Sequence, residues 1–139
     1  MRFPLVIGAA IVALNAGFAF AQDVKQREVQ MKEVGAAFGQ LNRMNRGQDP
    51  YDAAKAKAAF ERIATAGEAF VSLYGADATP VGRSLPAIWE NRADFDQRLQ
   101  KLVTDAKAGA GTSDEAGFKT AFATLQPDCG SCHKIYRGD

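Results

Sequence analysis

Residues 118–136 read FKTAFATLQPDCGSCHKIY, and this stretch decides the fold. Phe118, Phe122, Leu125, Cys129, Cys132 and Tyr136 recur at steps of four and three, which lays them along one face of an α-helix. The same spacing returns in three segments upstream. Val24, Arg27, Met31, Val34, Phe38 and Leu41 mark a helix from Asp23 to Arg46, broken by Gly47 and Pro50. An alanine-rich segment from Asp52 to Tyr74 carries Phe60, Ile63, Gly67, Phe70 and Tyr74 on one face, with Asp52 placed to cap it. A third helix from Asn91 to Lys107 turns Phe95, Leu99, Leu102 and Ala106 inward and ends at Gly109 and Gly111. Thr112 or Ser113 then caps the fourth, with Glu115 as its capping-box partner. No useful strand alternation, internal repeat or low-complexity tract appears. The pattern predicts an all-α protein, an antiparallel up-down-up-down four-helix bundle with ligand sites between facing helices. The connection from Gly75 to Pro86 is long for a helix pair, and Trp89 beyond it reads as a core anchor. Pro127 has no N–H, so it breaks one bond inside the fourth helix or starts a fresh turn there.

The 139 residues are 47% apolar and 24% charged, ordinary for one globular domain. The N-terminus is organised differently. Arg2 precedes an apolar run from Leu5 to Leu14, and Ala19-Phe20-Ala21 sets small residues before a cleavage point. Residues 1–21 therefore read as a secretory signal peptide and residues 22–139 as the mature domain, exported to the periplasm without a membrane anchor. The competing reading is an anchor, but the apolar stretch barely reaches the roughly 17 residues that span a bilayer. Cleavage removes Arg2 from the 17 basic side chains, leaving them equal in number to the 16 acidic ones. A neutral chain of this kind is not built for nucleic acid.

Both cysteines and the single histidine fall within five residues, Cys129-Gly130-Ser131-Cys132-His133. A C-x-x-C-H run is the pattern of covalent haem attachment. Two thiols three residues apart reach two vinyl groups on one haem edge as thioethers, and the next residue turns an imidazole onto the iron. A thioredoxin-like dithiol wants a βαβ context that is missing, and a zinc site needs about four ligands. A plain disulfide remains the bland alternative. With one histidine, bis-histidine ligation is excluded. A sulfur ligand in the mature chain has to be Met31 or Met44, and Met31, on the apolar face of the first helix, is better placed. The alternative for Met31 is a core residue that only covers the iron. Arg27 either lies on a solvated edge or meets a haem propionate. Arg137 either flanks the imidazole or is a basic residue at a helix C-terminus. Phe118, Phe122, Leu125 and Tyr136 read as packing around the haem.

With these residues in place the mature chain resembles the class II c-type cytochromes, which include cytochrome c′. The resemblance is carried by Cys129-Gly130-Ser131-Cys132-His133 near the C-terminus followed by Tyr136-Arg137, by Arg27-Glu28-Val29-Gln30-Met31-Lys32, by Gly47-Gln48-Asp49-Pro50-Tyr51-Asp52, and by Pro86-Ala87-Ile88-Trp89 with Phe95. It implies one haem c bound through Cys129 and Cys132, with His133 as proximal ligand, Arg27 on a propionate, Arg137 beside His133, and Met31 at the distal position. The Met31-Lys32, Leu85–Trp89 and Asp94-Phe95 patterns look more like the low-spin branch. That implies a soluble electron carrier with His133/Met31 ligation, no enzymatic chemistry, and redox proteins as partners. The alternative is a five-coordinate, high-spin protein that binds nitric oxide or carbon monoxide at an open distal site. Either a monomer or a homodimer fits.

Overall fold

The computed structural model describes residues 12–75 and 80–139, with side chains from Val24 onward. The five helices are α1 (Val12–Asn45), α2 (Ala53–Ser72), α3 (Ala87–Glu90), α4 (Arg92–Ala110) and α5 (Glu115–Tyr136). The four long ones form the expected bundle. α2 packs against α1 and α4, α5 packs against α4, and α1 meets α5 at only a few points. The only β feature among the described residues is an isolated antiparallel bridge between Ser84 and Arg137.

Local chemistry explains most of the boundaries. Among the described residues α1 already covers Val12, upstream of the expected Asp23, through residues that include the strong helix formers Ala13, Ala16, Ala19 and Ala21. The signal-peptide reading falls partly on residues 1–11, which lie outside the described residues. α1 ends where Gly47 adopts φ +68°, with Gly47 N–H donating to Met44 O and Gln48 N–H to Arg43 O. That is the left-handed glycine stop, and it satisfies two otherwise orphaned carbonyls. Asp52 caps α2 as expected, its Oδ1 accepting from Lys55 N at 3.0 Å. The fourth long helix corrects the sequence reading. Asp114, not Thr112 or Ser113, is its cap, accepting from Gly117 N at 2.7 Å, while Glu115 pairs with Lys119. α5 runs through Pro127 without ending.

The interior divides into two clusters. Leu41, Phe60, Ile63, Phe118, Phe122 and Leu125 fill one end of the bundle. Phe70, Tyr74, Ile88, Phe95, Leu99 and Tyr136 form the other, and Met31 packs against both. Phe118, Phe122 and Leu125, expected around the haem, thus belong to the closed-end cluster, although Leu125 lies one turn before Cys129 and the Phe122 ring rests on Phe38. Only Tyr136 of that group lines the open end. Gly109 was read as a helix stop, yet α4 continues to Ala110 and Gly109 is buried. A Cβ there would come within 2.5 Å of the Phe60 ring, itself fully buried. The missing side chain lets α2 and α4 close on that ring. Gly109→Ala is therefore expected to cost about 1–3 kcal/mol by overpacking, read as a lower denaturation midpoint with an unchanged m-value.

Candidate haem-binding site

Where α1 and α5 diverge, the open end encloses a cavity of about 650 Å³, inside the roughly 300–1,000 Å³ range of small-molecule and cofactor sites. α5 forms one wall with Cys129, Cys132, His133 and Tyr136, and α1 the facing wall with Arg27, Met31 and Phe38. Both cysteines are free thiols, half-buried against this space. Among the described residues no cluster of three or more His, Cys, Asp or Glu side chains is arranged around a bare metal ion.

α4 holds the attachment segment in place. Tyr136 Oη donates to Asp94 Oδ2, Arg98 Nη1 donates to Ser131 O at 3.3 Å, and Lys101 Nζ donates to Asp128 Oδ1 at 2.8 Å. These three ties bracket residues 129–133. Beyond α5 the chain is strapped to the α2–α3 connection: Leu85 N–H donates to Tyr136 O and Gly138 N–H to Arg83 O. The strap brings Arg83 and Arg137 to the cavity beside His133.

Arg27 is buried, so its solvated-edge reading is overturned. Its guanidinium lies over the Tyr74 ring, 4.3 Å from the centroid, and donates through Nε and Nη2 to Leu73 O at 3.1 and 2.9 Å. Leu73 is the C-cap of α2, so the cation meets the negative end of a helix dipole and a carbonyl with no helical donor. Arg137 is the C-cap of α5, exposed yet at the cavity edge. Met44, the rejected sulfur candidate, is buried in the closed end. Trp89 is half-buried against Tyr74, with an indole N–H that is buried and has no hydrogen-bond partner. The sequence reading missed Arg98, Arg83 and Asp128. Asp128 carried a signal, since it falls three after Leu125 on the apolar stripe of α5.

Electrostatics suit the donor set. Burial, and then the fields of Arg137 and Arg83, hold the His133 imidazole below its usual pKa, favouring the neutral form that binds metals. Burial pushes the Cys132 thiol up to about 11 and raises Cys129 as well. The residues present fit a covalent haem: two neutral thiols and a neutral imidazole on one helix, an apolar cavity, and cations at its edge.

A family model described as Cytochrome C′ matches residues 22–137. The chain belongs to the cytochrome c′ family. Cytochrome c-556 of Agrobacterium fabrum is 41% identical over 127 residues, covering 89% of this chain and 87% of that protein. Cytochrome c′ of Rhodopseudomonas palustris is 33% identical, covering 99% and 97%. Among solved structures, a nitric oxide complex of a mutant cytochrome c prime from Alcaligenes xylosoxidans superposes with a TM-score of 0.78 at 28% identity, covering 86% of this chain and 97% of that one. Membership of this cytochrome family gives the chain its cofactor, covalent haem c with its iron, and the chain has the two cysteines that thioether links require. No helix among the described residues is long and apolar enough to cross a membrane.

In the haem-free chain, alkylation of Cys132 by iodoacetamide at about pH 8 is expected to be roughly a hundredfold slower than that of a model cysteine, because little thiolate is present. The rate should climb as pH rises toward the raised pKa. A rate near the model value would show that the thiol is not buried.

Proposed function

We propose that this chain is an exported haem c protein whose His133 supplies the proximal ligand and whose α1 side leaves a site for nitric oxide or carbon monoxide. The observation that carries it is the cavity itself, with Cys129, Cys132 and His133 on one wall and the apolar side chains of Met31 and Phe38 on the other. The nitric oxide complex formed by a structural relative supports the same reading. The bound haem supplies an iron that changes oxidation state and accepts diatomic ligands. Everything else falls to the polypeptide. Cys129 and Cys132 hold the cofactor by its edge, His133 presents a neutral imidazole, and Arg27 and Arg137 lie at the cavity to offset propionate charge. Met31, on the cavity wall formed by α1, would limit the size of a ligand that could enter beside the haem. Residues 1–21 act as the export signal, and delivery to the periplasm suits covalent attachment there.

The electron-transfer reading favoured by the sequence remains as the second, because Met31 is the only methionine lining the cavity among the described residues. In that case its sulfur is the sixth ligand. The comparisons favour the first reading over this one.

Visible spectra of the ferric and ferrous holoprotein separate the two. The gas-binding reading expects high-spin spectra, ready uptake of carbon monoxide by the ferrous protein, and an unchanged spin state in Met31→Leu. A low-spin wild type that becomes high-spin in Met31→Leu, and gains carbon monoxide binding only then, reverses the assignment. The attachment itself is tested by Cys129→Ala/Cys132→Ala, whose pigment should pass into acidified organic solvent while that of the wild type stays with the protein. Pigment retained by the double variant would refute thioether linkage.

A further inference from the structure

One buried carboxylate at the cavity has a second oxygen that the tie between α4 and α5 does not use. Asp128 precedes Cys129 and lines the cavity, with its side chain 6% exposed. Its Oδ1 accepts from Lys101 Nζ, but its Oδ2 is buried without a hydrogen-bond partner. Lys101 is shared, since its ammonium also pairs with Asp105 at 2.5 Å. One cation therefore faces two carboxylates beside an apolar cavity, which leaves one negative charge poorly compensated. Burial is the main cause that lifts Asp128 above the usual carboxylate range. Asp105 adds to the lift, and Lys101 opposes it.

We propose that Asp128 is a proton-exchanging group of the haem cavity, taking up a proton when the iron is reduced and releasing it when the iron is oxidised. The proposal rests on haem c occupying the cavity. In the reducing direction a one-electron donor delivers its electron to the iron, and Asp128 takes one proton from solvent to form a single O–H bond at Oδ2. Oxidation reverses both transfers, and no other bond changes. The driving force is electrostatic: reduction removes a unit of positive charge from the cavity, so the neighbouring carboxylate loses a stabilising field and holds its proton more tightly. Lys101, its side chain 55% exposed, reaches from solvent to Oδ1 of the same carboxylate and on to Asp105, 17% exposed.

The groups facing Asp128 are Lys101 and Asp105 from α4 and Cys129 on its own helix. Charged groups elsewhere on the cavity are Arg27, Glu28 and Lys32 of α1, Arg98 of α4, Arg83 of the connection and Arg137 after α5. Glu28 is the one other carboxylate among these side chains, and the haem propionates would add two more.

Potentiometric titration of the holoprotein between about pH 4 and pH 8 is expected to give a reduction potential that falls as pH rises, because ionised Asp128 favours the ferric state. Asp128→Asn should flatten that slope. Lys101→Met, a change at an exposed side chain, should move the step to higher pH. Redox-difference infrared spectra should show a protonated carboxyl band that grows on reduction and is missing in Asp128→Asn. A pH-independent wild-type potential, or a slope unchanged in both variants, overturns the proposal. Should Asp128→Asn fail to fold, the wild type and Lys101→Met carry the test, and absence of a reduction-linked carboxyl band in both overturns it. Failure of the haem reading is distinguishable, because a wild type without a Soret band has no potential to titrate.

Discussion

The site depends on one seam, the polar contact between α4 and α5. Asp94, Arg98 and Lys101 step along α4 while Tyr136, Ser131 and Asp128 step back along α5, so the antiparallel pairing places one tie on each turn of the attachment segment. Each tie is partly screened and modest alone. Together they set the rotation of α5 about its axis, and that rotation decides whether Cys129, Cys132 and His133 face the cavity or solvent. Pro127 removes one backbone hydrogen bond just before this segment, so side-chain ties there hold a helix its own ladder holds less well.

The two ends of the bundle divide the labour. At the closed end Gly109 and the small residues of α2 let α2 and α4 approach until the Phe60 ring fills the space between them. That packing lets the other end stay open without loss of the fold. At the open end α1 is fastened to α2 by Arg27, whose guanidinium spans from the Tyr74 ring to the carbonyl of the C-cap Leu73. A buried cation at a helix C-terminus is satisfied there and still borders the cavity, so one side chain joins the fold to the chemistry of an anionic cofactor.

Much of this was legible in the residues. The three- and four-residue periodicity marked every long helix, since burial of one helical face leaves a period that survives in the linear order. Asp52 was readable as a cap because capping is a contact over three residues. Asp114 was missed because Thr112, Ser113 and Asp114 are all competent caps, and only the backbone geometry chooses among them. Phe118, Phe122 and Leu125 share a stripe with the cysteines, but a stripe has length as well as direction. It spans both clusters, and periodicity does not say where along the bundle the cavity opens.

The haem chemistry belongs to the sequence alone: two thiols and an imidazole at C-x-x-C-H spacing are a local constellation that any helix would present together. The helical class and its four amphipathic faces are equally local. The tertiary structure decided what depends on residues far apart in the chain. It buried Arg27 against Leu73, brought Arg83 round to His133, seated Met44 in the core, and left Met31 facing the cavity. It also set Asp128 and Asp105 on one lysine. The physical reason is that burial and electrostatic fields fall off with distance in space, and distance in space between remote residues exists only once the helices have packed.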